Sequence, residues 1–150
     1  MASGHDSIHI ERPADEVFAF VAEAENNPRW RSYVVETTWL DDGPMRVGRR
    51  GRQVSRVLGR PMSVIAEIVD WDPPRHVAWQ AVQGFATIRT DCTVEPEGAG
   101  CRLNVRAAGE LNGRLLRLLA PLAVAVARRQ AASDMVRLKT ALEQRGGLAG

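Results

Sequence analysis

The last third of the chain constrains the fold most, because residues 113–145 predict one long helix or two joined helices. Between Leu115 and Leu142 this stretch has no glycine and a single proline, Pro121, among residues that mostly favour helices. At the helical repeat, the apolar stripe lies on one side near Pro121 and on nearly the opposite side further along. Proline lacks an amide hydrogen and its ring clashes with the preceding turn, so we expect the helix to kink or restart there.

Residues 122–127, in the middle of this stretch, are apolar all round, so we expect this turn to be buried on every side. Several of them are alanines, which leave room beside the helix. The leucines of residues 115–122 lie outside the apolar stripe of the later residues, and we interpret them as a lid. The alternatives are a contact in an oligomer such as a homodimer and a patch that touches a membrane. The inward face of the helix is expected to consist of Val124, Ala127, Ala131, Met135 and Leu138.

Seven strands are predicted before this helix. The first strand covers residues 7–11. It is followed by a helix that begins near Pro13, and then by a short helix that begins at Asn26-Asn27-Pro28 and contains Trp30. Six further segments are separated by turns that contain glycine or proline, and consecutive hairpins of this kind make an antiparallel sheet. These segments are residues 34–40, 49–58, 62–71, 76–82, 85–95 and 101–111.

The last two strands indicate that one face of the sheet is exposed to solvent and the other is covered. In both strands, polar or charged side chains alternate with side chains that are small or apolar. Only the C-terminal helix is long enough to cover the apolar face. We therefore predict an α+β fold in which a seven-stranded curved antiparallel sheet wraps around a long C-terminal helix, with two short helices after strand 1. Residues 1–150 are expected to form a single domain, with Cys92 and Cys101 as reduced thiols in its core.

Composition argues against several classes of protein. The net charge of +2 is too weak for a nucleic-acid binder, and the arginines of residues 46–60 are explained as the solvated face of a strand. The N-terminus shows no signal peptide, and the apolar run of residues 118–127 is too short for a membrane span. We therefore expect a cytoplasmic protein with no nucleic-acid partner and no integral membrane association.

A helix with small side chains against a curved sheet leaves a cavity, which we predict to bind a ligand between them. Gln53 and Ser55 point into it if the arginines of their strand face outwards, and they would then bind a polar end of the ligand. Alternatively, these groups satisfy one another, and Trp39, Trp79 and Met135 fill the gap. The predicted lining consists of Gln53, Ser55, Val64, Trp79, Ile88, Thr90, Leu103, Val105, Val124, Ala127, Ala131 and Met135.

No catalytic motif is visible in the sequence. The histidines His5, His9 and His76 lack metal-ligand spacing, and no nucleophile elbow, phosphate loop or dinucleotide fingerprint occurs. Asp134, near the apolar stripe of the helix, would serve as a base if it were buried, but a solvated position is expected. The sequence predicts no metal and no cofactor.

Three local patterns resemble the polyketide cyclase/dehydrase-like branch of the helix-grip superfamily (START, birch-pollen-allergen-like, SRPBCC). They are the strand-to-helix opening, the tryptophan of the second helix and the turn into the middle strand, and with the closing helix they span the chain. In this sequence they read Ile8-His9-Ile10-Glu11-Arg12-Pro13-Ala14-Asp15-Glu16-Val17-Phe18, Asn27-Pro28-Arg29-Trp30 and Asp72-Pro73-Pro74-Arg75-His76-Val77-Ala78-Trp79.

The resemblance implies a helix-grip fold, which hosts carriers, cyclases, hydrolases and cochaperones alike. Our first hypothesis is therefore that the cavity binds a small hydrophobic molecule, such as a lipid, a polyketide or an isoprenoid. A cyclase or dehydratase that uses the same cavity is the second hypothesis. A protein-interaction module like the cochaperone members of the superfamily is the third.

Overall fold

The structure, a computed structural model, describes residues 2–57 and 59–149. Leu58, the last residue of the third predicted strand, lies outside these residues. The strands are β1 (Ala2–Ile10), β2 (Val34–Trp39), β3 (Arg50–Val57), β4 (Arg60–Asp72), β5 (His76–Gly84), β6 (Ala86–Glu97) and β7 (Gly100–Leu111). The helices are α1 (Ala14–Ala22), α2 (Asn27–Trp30), α3 (Arg114–Leu118) and α4 (Ala120–Ala149), and a short 3-10 helix (Ala24–Asn26) precedes α2.

Within the described residues the strands form one seven-stranded antiparallel sheet with the order β1-β7-β6-β5-β4-β3-β2. Strands β2 to β7 each pair with their neighbours in sequence, and β1 joins the sheet beside β7. This arrangement confirms the predicted helix-grip fold. Strand β1 starts earlier than predicted because residues 2–6 pair with residues 105–109 of β7, although their sequence lacks apolar alternation.

The C-terminal helical stretch is interrupted where the sequence predicts. Helix α3 ends at Leu118 and α4 begins at Ala120, so that Pro121 falls in the first turn of α4. A proline in the first turn removes an amide that has no partner within the helix. The single proline of this stretch therefore restarts the helix rather than bending it.

The hydrophobic core lies between the second half of α4, α1 and the sheet. Leu138 is fully buried, and Met135 and Leu142 are nearly so. They pack in one cluster with α1 residues such as Phe18 and with inward residues of the strands. Cys92 and Cys101 are free thiols in this cluster, and burial raises the pKa of each.

Two charged side chains of α4 tie the helix to the end of β1. The Lys139 ammonium donates a hydrogen bond to the carbonyl oxygen of His9 at 2.8 Å and contacts the Glu143 carboxylate at 2.7 Å. The same Glu143 carboxylate accepts a hydrogen bond from the backbone amide of Glu11 at 2.8 Å. This clamp, formed by Lys139 and Glu143, fixes the second half of α4 to the edge strand of the sheet.

The first half of α4 is exposed, so the expected burial of residues 122–127 on every side is wrong. Leu122 is 55% exposed, Val126 is 41% exposed, and Ala127, expected on the inward face, is also exposed. Among the described α4 side chains, the buried ones begin only at Asp134. The reason is that α4 packs mainly on β1 and α2, so its first turns are not enclosed by the concave sheet.

The outer face of the sheet carries ion pairs that involve two of the three histidines. The His9 ring lies 2.7 Å from carboxylate oxygens of both Glu11 and Glu97. His76 lies 2.9 Å from Asp91 in the same kind of contact. These histidines thus belong to the polar surface of the sheet.

A first prediction concerns the packing of α4. Leu138→Ala should lower the free energy of unfolding by about 2–5 kcal/mol, because it removes a fully buried side chain and leaves a cavity. Leu118→Ala is the matched control, since Leu118 is 78% exposed and its truncation should change stability by less than about 0.5 kcal/mol. Urea denaturation measures both, and equal effects would contradict the observed placement of the two leucines.

A second prediction concerns His9. Hydrogen bonds from Glu11 first and Glu97 next raise the pKa of His9 above its ordinary value. The native state therefore favours the protonated ring. The resulting stabilisation of the fold is complete below the unfolded-state pKa of about 6.5, and it is lost as the pH rises through the higher pKa of the folded state. Glu97→Gln should lower the pKa of His9 in an NMR titration. Glu67→Gln removes an acid of β4 that is bonded to Arg50 of β3, and it should leave the pKa of His9 unchanged.

Candidate ligand-binding site

The sheet residues predicted to line the cavity share the concave face. Directly paired residues of antiparallel strands lie on the same side of a sheet, and Gln53 is paired with Val64 and Trp79 with Thr90. Val64 and Leu103 are buried, whereas Val105 and Ile88 are half-buried. The register therefore brings these positions to one surface, but several of them are used in packing.

Gln53 and Ser55 do not present free polar groups to the concave space. The Gln53 amide donates to the Ser55 hydroxyl at 3.2 Å, and its oxygen accepts a hydrogen bond from the Asn27 amide at 3.2 Å. Trp39 and Trp79 stack beside them with ring centroids 5.3 Å apart. This part of the interior matches the alternative in which polar groups satisfy one another and tryptophans fill the gap.

An open cleft of about 660 Å³ lies elsewhere, between β1, β7 and the first half of α4. Its lining includes Gly4, Asp6, Ala107 and Arg128. None of the twelve predicted lining residues borders it. Asp6 was missed because it lies in the extension of β1 that the sequence pattern did not reveal, although it shares the parity of Ile8 and Ile10.

A second, smaller cavity of about 50 Å³ lies between α2, α4 and the strands β1 and β7. It borders three predicted residues, Val105, Ala131 and Met135. The rest of its lining is mainly polar or aromatic and consists of Asp6, Trp30, Arg31, Tyr33 and Asp134. Asp6 is the one residue that borders both spaces.

Arg31 is the central cation of this small cavity. Its guanidinium donates to the Tyr33 hydroxyl at 3.0 Å and stacks over the Trp30 ring at 4.3 Å. Burial alone would lower the pKa of Arg31, but Tyr33, Cys92 and Asp134 raise it above its ordinary value. Arg31 therefore stays charged and can act as a fixed hydrogen-bond donor inside the fold.

Asp134 is only 4% exposed, so the expectation that it is a solvated helix residue is wrong. It lies next to Met135 and three residues after Ala131, a spacing that places it on the buried face of α4. That spacing is the signal that could have identified it. Arg31 and Tyr33 offered a weaker signal, since they lie in the connection after α2, where neither helical nor strand periodicity applies.

Three polar atoms around the small cavity are buried and have no hydrogen-bond partner among the residues that the structure describes. They are Nε1 of Trp30, Nε of Arg31 and Oδ2 of Asp134. Such atoms are rare in folded proteins, because each one loses its hydrogen bonds to water on burial. Each of the three atoms has almost no accessible surface, so they belong to the packing around the small cavity.

Two features of the described residues bear on the kind of site. Among the described side chains, no group of three histidines, cysteines or acids is placed to hold a metal ion. No helix in the described part of the chain is long and apolar enough to span a membrane.

Solved structures with the same fold cover nearly the whole chain. TTHA0849 from Thermus thermophilus shares 18% identity at a TM-score of 0.78, covering 93% of this chain and 95% of its own. The Zhui aromatase/cyclase from Streptomyces sp. R1128 shares 15% identity at a TM-score of 0.81, and the match covers 99% of this chain and 98% of its own. A START superfamily protein from Mycobacterium smegmatis shares 16% identity at a TM-score of 0.70, and the match covers 99% of each chain. At these identities the likenesses establish the fold.

Sequence comparison assigns the family. No curated protein matches the sequence. The family model described as polyketide cyclase / dehydrase and lipid transport matches residues 1–143, which is nearly the whole chain. The chain therefore belongs to the polyketide cyclase / dehydrase and lipid transport family.

Proposed function

We propose that this protein binds a small, mostly apolar molecule in the space between the sheet and α4. The observation that carries the proposal is the open cleft of about 660 Å³ beside the first half of α4, with which the small cavity shares Asp6. This volume lies within the range of roughly 300–1,000 Å³ that is usual for ligand pockets. The family description, which names both polyketide cyclisation and lipid transport, supports the same class of ligand.

The exposed leucines of α3 and the first turns of α4 are the cover of this site in our proposal. Leu115 is 70% exposed, Leu118 is 78% exposed and Leu122 is 55% exposed. Burying one such side chain is worth about 1.5–3 kcal/mol, so several leucines closing on an apolar ligand would add substantially to its affinity. This retains the interpretation of residues 115–122 as a lid, with the ligand supplying the surface that the sheet does not.

A second candidate function is catalysis in the same space, and buried Asp134 is the observation that favours it. A carboxylate held in the interior near a guanidinium and a phenol can accept and return a proton. A cyclase or dehydratase needs such a group beside an oxygen-bearing chain. Incubation of the protein with a poly-β-ketone chain tests this function, and a product rate equal to that in buffer would reject it.

The binding function leads to a third prediction. Ala131→Phe should weaken binding of the neutral fluorophore N-phenyl-1-naphthylamine by about tenfold or more, because the ring fills the small cavity and projects towards the cleft. Ala132→Phe is the matched control, since the neighbouring alanine is exposed and does not border either space. Fluorescence titration gives both affinities, and circular dichroism verifies that the variants are folded.

The outcome decides between two placements of the ligand. Equal weakening by both substitutions would show that binding does not occur beneath α4. Binding that is unaffected by Ala131→Phe would place the fluorophore on the exposed leucines instead. A wild-type protein that does not bind the fluorophore or any apolar molecule offered in native mass spectrometry would reject the proposed function itself.

A further inference from the structure

We propose that α3 and the first turns of α4 form a docking surface for the anionic face of a lipid bilayer. The inference goes beyond the proposed function, in which the same leucines close over a ligand. The structure shows these side chains exposed, and a concentrated group of exposed apolar side chains marks a contact site. The two proposals can fail separately, because binding to lipid vesicles is measured without any ligand in the site.

Exposed apolar side chains are concentrated in this segment. Nine large apolar side chains are exposed among the described residues, and four of them fall within residues 115–126. Within α3 and within α4 they are spaced three or four positions apart, so each pair lies on one side of its helix. The four side chains are Leu115, Leu118, Leu122 and Val126.

No other described element covers these side chains. Helix α3 packs mainly on β7 and α4, and none of its residues is buried. In α4, the first buried side chain among the described residues is that of Asp134. The segment is therefore accessible to a partner outside the fold.

Arginines accompany the exposed apolar side chains, and acids do not. Residues 111–133 contain four arginines and no aspartate or glutamate. Three of the arginines, Arg114, Arg117 and Arg129, are exposed and lie within one helical turn of an exposed leucine or valine in the sequence. The fourth, Arg128, borders the open cleft. The apolar side chains are thus surrounded by positive charge.

The rest of the chain has the opposite charge. The whole chain carries a net charge of +2, so the residues outside 111–133 carry a net charge of −2 together. An anionic surface therefore attracts this segment and, on balance, repels the remainder of the protein. This asymmetry orients the protein so that the exposed leucines approach the anionic surface first.

A bilayer with anionic lipids fits this segment better than a second copy of the chain does. Contact between two copies through the segment would place arginines beside arginines, and like charges in a contact are unfavourable. The bilayer supplies an apolar interior for the leucines and negative headgroups for the arginines. Helices with this pairing lie in the bilayer surface rather than across it, and no helix of the described residues could span it.

Flotation of the protein with large unilamellar vesicles tests the inference. One set of vesicles consists of phosphatidylcholine alone, and the other also contains about 30% phosphatidylglycerol as the anionic lipid. We expect the partition coefficient to be about tenfold or more higher for the anionic vesicles, since each arginine near such a surface contributes roughly fivefold. Raising the salt concentration from about 0.1 M to about 0.5 M should weaken this binding several-fold, because salt screens the attraction.

Two double variants locate the contact. Leu115→Ser combined with Leu118→Ser removes two exposed apolar side chains, and Arg114→Gln combined with Arg129→Gln removes two exposed charges. Each should lower the partition coefficient for anionic vesicles by about tenfold or more, because both chemistries contribute to binding. Circular dichroism verifies that the variants are folded.

Matched controls change the same residue types at the opposite edge of the sheet. Arg52→Gln combined with Arg56→Gln removes two exposed charges from β3, and Leu40→Ser removes an exposed leucine that follows β2. Strands β2 and β3 lie at the other end of the strand order from β7, on which α3 packs. These controls should change the partition coefficient by less than about twofold, because charges far from the surface are screened.

The outcomes separate docking from its alternatives. Equal partitioning into the two kinds of vesicle, no binding to either, or equal losses in the arginine variant and the β3 control would overturn the inference. Light scattering tests the second copy. A wild-type dimer that Leu115→Ser combined with Leu118→Ser converts to a monomer would assign the leucines to that contact and overturn docking. The fluorophore titration without vesicles decides the proposed function independently of these results.

Discussion

The attachment of α4 to the end of β1 is the interaction on which the rest of the structure depends. Lys139 and Glu143 bond to backbone groups on either side of Ile10, at the carbonyl of His9 and the amide of Glu11. These two contacts set the position of the helix along the edge strand, while the buried leucines beside them supply most of the stabilisation. Lys139 also lowers the pKa of Glu143, which favours the charged form of the carboxylate that accepts both contacts.

This attachment is confined to one half of the helix, and the asymmetry creates the site. The second half of α4 is packed against the core, whereas the first half projects beyond its contacts with β1 and α2. A helix packed along its whole length would close the space beneath it. Here the cleft lies where the packing ends, near Arg128, and the small cavity lies one turn further along, near Ala131.

The sequence allowed the architecture to be predicted, because strand alternation, turn residues and the proline at position 121 are all local signals. The extent of contact between elements is not local. Residues 122–127 are apolar on every side, yet four of the six are exposed and none is buried. Periodicity gives the direction of a side chain but not how far the opposing surface reaches. The polar lining was missed for the same reason, because Arg31 follows a helix of one turn and Asp134 interrupts an apolar stripe.

The buried polar side chains around the small cavity carry a cost in stability. A buried polar atom without a partner destabilises a fold by about 1–3 kcal/mol, and Trp30, Arg31 and Asp134 each carry one such atom among the described residues. Apolar side chains of similar volume at positions such as Arg31 and Asp134 would often give a more stable interior. Arg31 meets part of this cost through its hydrogen bond to Tyr33 and its stacking over the Trp30 ring. The charge of this guanidinium is therefore held inside the fold by the residues next to it in the chain.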